Sequence, residues 1–364
     1  MSRIRVAVVD DSPFIRKALA WMVAEEPDLE LAGIAARGEE LLDHLQEWRA
    51  DLIILDLAMP GIGGLATLEK ILIRRPTPVI ILSDNLIQIA PLAVEAMCCG
   101  ALDLVDKRDL SLVDFDALRN ALVGRIRQLV QAAARPSRSE PAAALPAGLP
   151  AARPLLLLIG ASTGGPPAVE RVLRALGPRL RCPIVVAQHM PAGFTRAYAN
   201  RLSAHLPLEV RETADGELLR PGVAYVAPGG FHTAVERRRG HLHAAVSPTQ
   251  DLVQPSVDVL FLSAALAVGA RGAAALLTGM GDDGAQGMAE LCRVGSYTIA
   301  QDEATSVIFG MPRAAIDAGA ARETLPLSLI GGRLRQLASD TPAAALSGAS
   351  DPVQEEVSCS RGKF

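Results

Sequence analysis

Gly160-Ala161-Ser162-Thr163-Gly164-Gly165 follows an apolar run over residues 155–159 and precedes a helix-like stretch. This is the sequence form of a serine carried on a sharp turn between a strand and a helix. Such a serine is expected on a strained backbone, with glycines on both sides so that no neighbouring side chain covers its hydroxyl. It would stand at a sheet edge among free backbone N–H groups, the posture of an acyl-transfer nucleophile. The chain holds 31 glycines in 364 residues, so the same pattern also describes an ordinary tight turn packing a helix on a strand. The functional reading therefore depends on finding a base and an acid elsewhere.

Working outward, apolar runs at 184–187, 223–226, 274–277 and 297–300 alternate with helical stretches as far as residue 329. That alternation predicts a doubly wound α/β unit. Upstream, five short apolar runs at 6–9, 29–34, 52–55, 79–82 and 102–105 alternate with amphipathic stretches, which predicts a five-stranded parallel sheet of flavodoxin-like type. Ser12-Pro13 marks a helix start, because serine caps free N–H groups and proline fits the first turn. Ile15, Leu19, Met22 and Val23 then share one face. The expected organisation is a first domain over 1–130, an Ala/Pro-rich linker over 131–153, a second domain over 154–340 and a mobile tail over 341–364.

Composition narrows the function classes. Half the residues are hydrophobic, only 3% are aromatic, and the formal net charge is −4. An acidic chain is a poor nucleic-acid binder, since that binding rests on phosphate neutralisation. Arg237-Arg238-Arg239 is followed by Gly240 and reads better as a hairpin turn than as a basic patch. Cys98, Cys99, Cys182, Cys292 and Cys359 form no metal or disulfide spacing. No apolar run approaches the roughly 20 residues needed to cross a bilayer, and no apolar leader is evident. A reduced, cytoplasmic protein without membrane insertion is expected.

Chemistry-bearing residues fall at strand ends. In the first domain Asp10 and Asp11 follow the first strand, Asp56 the third, Ser83 the fourth and Lys107 the fifth. The carboxyl ends of a doubly wound sheet meet at one edge. Three carboxylates gathered there would repel one another without a hard cation, and oxygen ligands suit Mg²⁺. Asp56 would then accept a phosphoryl group, Lys107 would pair with its charge, and the Ser83 hydroxyl would move to hydrogen-bond it. Any single one of these residues reads better as a helix cap or surface ion-pair partner; five gathered at four matching strand ends do not.

In the second domain Gln188-His189 ends the strand after the serine turn, and Gly279-Met280-Gly281-Asp282-Asp283-Gly284 ends a later one. Ser162, His189 and Asp283 fill the roles of nucleophile, base and orienting acid. Their chain order differs from the Ser, Asp, His order of α/β-hydrolases. Of six histidines, His44, His205, His241 and His243 lie away from this edge, and His232 is the rival base. Asp282 is the rival acid, its bland role being to cap the helix that starts near Gly284.

Residues 3–125, including Asp56-Leu57-Ala58-Met59-Pro60-Gly61, resemble the receiver domain of bacterial response regulators. Departures are Gly63 where receivers carry an acidic or amide residue, Leu104 in place of a switch aromatic, and Arg108 in place of a proline. Gly160 to Gly165, Gln188-His189-Met190-Pro191, Pro255-Ser256-Val257-Asp258, Leu277-Thr278-Gly279-Met280-Gly281 and Gly310-Met311-Pro312 resemble the catalytic domain of chemotaxis-type protein-glutamate methylesterases. The resemblance implies a phosphorylation-regulated serine esterase. It would hydrolyse glutamate γ-methyl esters on the cytoplasmic helices of methylated chemoreceptors and deamidate certain glutamines.

Ser162, His189 and Asp283 take the family's triad positions, and the Thr163 and Met280 N–H groups the oxyanion hole. Mg²⁺ at Asp10, Asp11 and Asp56 serves phosphorylation, no cofactor serves the ester step, and a histidine kinase is the phosphodonor. A monomer is expected, with the resting receiver covering the esterase edge. The segment from Gly193 to Arg201, with Phe194 and Tyr198, reads either as part of a receptor-docking face or as ordinary helix packing. The rival function is a non-catalytic regulator that binds a receptor or adaptor through an esterase-like domain.

Overall fold

The computed structural model describes residues 3–83, 86–107, 115–133, 153–178, 180–249 and 254–339. The five apolar runs of the first unit form β1 (Ile4–Val9), β2 (Leu29–Ala35), β3 (Leu52–Asp56), β4 (Val79–Ser83) and β5 (Asp103–Asp106). They pair in parallel in the order β2-β1-β3-β4-β5. Parallel strands need crossovers, and α1 (Pro13–Ala24), α2 (Gly38–Trp48), α3 (Gly63–Arg74) and α4 (Leu86–Cys99) supply them, with α5 (Phe115–Ala133) closing the unit. Ser12 caps α1 by accepting from the Ile15 N–H, Pro13 fills the first turn, and Leu19, Met22 and Val23 are buried. Every residue of β3 and β4 is buried. Each leucine or isoleucine fully withdrawn from water there contributes about 1.5–3 kcal/mol.

The second unit contains a seven-stranded parallel sheet in the order β14-β13-β12-β6-β7-β9-β8. Its central strand is β6 (Leu156–Ala161), followed on one side by β7 (Ile184–Gln188), β9 (Val223–Val226) and β8 (Glu209–Glu212). On the other side lie β12 (Gly272–Leu276), β13 (Tyr297–Gln301) and β14 (Glu323–Leu325). The expected strands are present, and β8 and β14 extend the sheet beyond them. Both are edge strands of four and three residues with charged side chains, a composition that protects an edge but hides it from a search for apolar runs.

The helices are α6 (Gly165–Leu176), α7 (Phe194–His205), α8 (Val257–Val268), α9 (Ala285–Arg293), α10 (Met311–Asp317) and α11 (Leu327–Ala338). A hairpin of β10 (Phe231–Arg238) and β11 (His241–Pro248) stands apart from the sheet, and its turn places Arg239 and Gly240 at φ 50° and 86°. Two left-handed residues give the turn type that matches strand twist, so the arginine run is a hairpin tip.

Residues 131–133, the start of the expected linker, complete α5, whereas 134–152 and the tail lie outside the described residues. Among the described residues no helix is long and apolar enough to cross a membrane. The two units pack through α4 against α6 and α7, where the Arg201 guanidinium lies 2.6 Å from Glu95 of α4 and 2.5 Å from Glu170 of α6. On the other receiver face, Ile308 joins the apolar cluster of β1, β3 and α5, with Val307 and Met280 packed beside it.

At the far edge, buried Arg333 of α11 pairs with Glu323 of β14 and donates to Tyr297 and Gln336. Removing the anion leaves a buried cation short of its partner. Glu323→Ala is expected to cost about 3 kcal/mol, seen as a lower urea midpoint.

Candidate active site

The serine turn shows how small residues place a hydroxyl. β6 ends at Ala161, and Ser162 N–H donates to the Thr278 carbonyl beyond β12 while Ser162 O accepts from Gly165 N–H. Ser162 itself is absent from the positive-φ residues, and the left-handed position is taken by Gly164 at φ 73°. The expected strained serine is therefore corrected: the turn strain sits two residues downstream, on a glycine that carries it without cost. Gly165 and Gly279 are small for contact reasons. A Cβ on Gly165 would stand 2.0 Å from Gln188 Oε1, and one on Gly279 would stand 2.7 Å from Ser162 Cβ.

Gln188, at the end of β7, donates from Nε2 to both the Ser162 carbonyl at 2.9 Å and the His189 carbonyl at 3.2 Å. One buried amide thus ties together the backbones of the serine and the histidine. His189 Nε2 lies 2.8 Å from Asp283 Oδ2, and the Asp283 carboxylate also receives Ser256 Oγ and the N–H groups of Val257 and Asp258. Burial opposes ionisation of Asp283, but the hydrogen bonds from His189 and from these backbone groups win, holding its carboxyl below the usual range. An ionised carboxylate accepts only, so Nε2 carries the imidazole proton and Nδ1 is left bare.

Ser162, Thr163, His189 and Met280 wall one cavity of about 530 Å³, with Asp283 behind His189. Ser162 Oγ makes no hydrogen bond among the described residues, a looseness common before substrate binds. The Thr163 and Met280 N–H groups likewise have no protein acceptor among the described residues.

The remaining sequence candidates separate cleanly. His232 is buried on β10 and its Nδ1 accepts from Ser256 N–H, so it supports the neighbourhood of Asp283 and does not line the cavity. Asp282 is exposed and does not cap α9, whose N-cap is Gly284; the carboxylate that serves the first turn is Asp258, whose Oδ1 accepts from the Gly287 N–H at 2.7 Å. Phe194 and Tyr198 are buried, with Tyr198 donating to the Pro166 carbonyl, so these two side chains pack the helix, Phe194 also bordering the cavity, while Arg196 of the same segment is exposed. Burial pushes the Cys98 and Cys182 thiols up to about 12, so neither is a nucleophile near neutral pH.

The opposite wall of the cavity belongs to the receiver: Val94 and Met97 of α4, Leu104 of β5 and Arg125 of α5. No sequence signal marked Glu95 or Arg201 as partners, because a pair between residues 106 apart has no local signature.

In the receiver the carboxylates of Asp10, Asp11 and Asp56 offer oxygens within 4.8 Å of one another. Lys107 Nζ lies 2.8 Å from Asp10 and 2.7 Å from Asp56. Burial raises the Asp56 carboxyl more than Lys107 lowers it. Burial pulls the Lys107 ammonium down, yet its hydrogen bonds to Asp10 and Asp56 carry it above its ordinary value. Ser83 ends β4 with a buried Oγ that has no partner among the described residues. Gly63 sits at φ 75° with open space around it, and Arg108 lies outside the described residues.

Fold and site together define a class: a response-regulator receiver joined to a parallel α/β unit that gathers serine, histidine and aspartate at one sheet edge. The family models agree, matching the response regulator receiver domain over residues 6–121 and CheB methylesterase over residues 157–334. A protein-glutamate methylesterase/protein-glutamine glutaminase of Geobacillus kaustophilus is 41% identical over 347 residues, covering 93% of this chain and 99% of that one. A Myxococcus xanthus protein of the same description is 40% identical, covering 92% and 97%. The solved CheB methylesterase catalytic domain of Thermotoga maritima is 37% identical over 51% of this chain, with a TM-score of 0.49. The chain belongs to the CheB family of protein-glutamate methylesterases/protein-glutamine glutaminases.

Proposed function

We propose that this protein is a phosphorylation-regulated serine esterase that hydrolyses glutamate γ-methyl esters on methylated chemoreceptors and deamidates certain of their glutamines. The observation that carries the reading is the 2.8 Å contact of His189 with an ionised, fourfold-bonded Asp283 on the wall that presents Ser162. Ser162 Oγ attacks the ester carbonyl and His189 Nδ1 takes its proton, returning it to the departing methanol. The Thr163 and Met280 N–H groups receive the oxyanion, and water then hydrolyses the acyl-enzyme. A buried imidazolium formed in this way is balanced by Asp283. A purely binding regulator would have no use for this arrangement.

Asp56 is the proposed phosphoacceptor, with a histidine kinase as donor. The three hard carboxylates suit Mg²⁺, and the Ser83 hydroxyl, which has no partner among the described residues, suits a phosphoryl oxygen. Asp10, Asp11 and Asp56 would hold the ion, which when bound offsets the charge of the incoming phosphoryl group. Lys107 already holds Asp10 and Asp56 and is placed to pair with the phosphorylated Asp56. The domains are proposed as 1–130, a linker over 131–153, and 154–340 followed by a tail. The protein is proposed to act as a cytoplasmic monomer.

Resting inhibition follows from the shared cavity. Val94, Met97, Leu104 and Arg125 stand across from Ser162, where a receptor helix would have to enter. Glu95 and Arg201 clasp the two units beside it.

Release of methanol from methylated receptor membranes tests the activity. Ser162→Ala and His189→Ala are each expected to lower turnover by roughly 10⁴-fold, with His232→Ala clearly milder. Greater damage from His232→Ala would transfer the base role to it. Asp56→Asn should abolish hydroxylamine-labile labelling from a small phosphodonor with Mg²⁺; label retained in that variant would place the phosphate elsewhere. A fragment starting at Ala151 should outpace unphosphorylated full-length protein on receptor membranes, and Glu95→Gln should raise resting activity in the same direction. A fragment slower than the resting enzyme would make the receiver an activator or targeting module.

A further inference from the structure

The acid of the triad is held by a residue with a single proton to give. Ser256 is the N-cap of α8, and its Oγ accepts from the Val259 N–H at 3.3 Å. The same oxygen lies 2.9 Å from Asp283 Oδ1. A hydroxyl has one proton and two lone pairs, and Val259 N–H and an ionised carboxylate fix which is used where. The lone pair goes to the helix and the proton goes to Asp283.

A helix cap needs only the first of these. Asparagine, aspartate and glycine cap nearly as well as serine, but only a hydroxyl can accept from the helix and donate outward through one atom. The donation is directional in its effect. Ser256 Oγ and Asp258 N–H occupy Oδ1, which turns Oδ2 towards Val257 N–H and His189 Nε2.

Ser256 is itself held from behind. Its backbone N–H donates to His232 Nδ1 at 3.2 Å, and His232 is 8% exposed. To accept there, His232 must keep Nδ1 unprotonated and carry its proton on Nε2. A chain of contacts thus runs from β10 through the start of α8 to the imidazole that faces Ser162.

We propose that Ser256 is a positioning residue for ester hydrolysis, fixing the rotation of the Asp283 carboxylate and through it the tautomer and orientation of His189, with His232 setting the place of Ser256. This rests on the esterase reading of the Ser162 site. Neither residue touches the substrate; each acts through the next.

Two readouts separate the proposal from that reading: methanol release from receptor membranes by phosphodonor-treated full-length protein, and the rate at which a fluorophosphonate labels Ser162. Ser256→Ala is expected to lower kcat roughly 10-fold with KM unchanged, as for a lost hydrogen bond to a charged group. The uncompensated carboxylate then favours the protonated imidazole, so the acid limb of the pH profile moves to higher pH. Ser256→Thr should restore both, since it keeps the donor. Ser256→Gly leaves the helix start nearly as stable as serine does, yet should be as slow as Ser256→Ala. His232→Asn, which keeps an acceptor near the Nδ1 position, should be milder than His232→Leu.

Near-normal kcat in Ser256→Gly, or a loss that threonine does not restore and that leaves the pH profile in place, would reduce Ser256 to a helix cap and overturn the proposal. Wild-type protein that labels at Ser162 but releases no methanol would overturn the receptor-esterase reading, and the labelling ratios of the same variants would still decide the relay.

Discussion

Every ladder of the two large sheets is parallel, and a parallel strand can be reached only by a crossover that returns the chain to the starting end. The direction of every strand is therefore shared, and the loops at the carboxyl ends collect on one edge. Side chains from distant parts of the sequence meet there without any need for local proximity: Asp10 with Asp56 and Lys107, Ser162 with His189 and Asp283. The strand order turns outward from β1 and β3 in one sheet and from β6 and β12 in the other, so the crevices open at those same strands. Buried apolar strands supply the rigidity, and the chemistry is confined to their last residue or the turn beyond.

The two edges solve the problem of buried negative charge in different ways. In the receiver a buried lysine bridges two carboxylates and supplies the counter-charge directly. In the esterase unit Asp283 meets no lysine or arginine among its hydrogen-bond partners; backbone N–H groups at the start of α8, one hydroxyl and one imidazole hold it. The backbone N–H groups and the hydroxyl neither dissociate nor titrate near neutral pH, which suits a carboxylate held ionised beside an imidazole.

Much of this could be read from the chain. Strand-length apolar runs ending at Asp10 and Asp56 in one unit, and at Ser162 and His189 in the other, put each pair at the carboxyl edge of its own sheet, because strand ends and the alternation that implies parallel pairing are both readable in local sequence. The glycine-rich turn was legible as a turn, but its strain was assigned to Ser162 when Gly164 carries it, since letters alone do not say which residue takes the positive φ. Phe194 and Tyr198 look the same whether they face a partner or a core, and only tertiary packing distinguishes the two. Ser256 was visible as part of a motif, yet its contact with Asp283 spans 27 residues, and the clasp between Glu95 and Arg201 spans 106. Contacts of that range follow from how finished units dock.

That clasp has an asymmetry. Arg201 is held by Glu170 within its own unit as well as by Glu95 across the boundary, so parting the units does not strand a guanidinium in an apolar place. Glu95, 37% exposed even when docked, returns to water with little lost. At this clasp, separation exchanges the two hydrogen bonds of one ion pair for hydration and leaves Arg201 paired with Glu170. At this point of the interface the joint can open without leaving a buried charge unpaired.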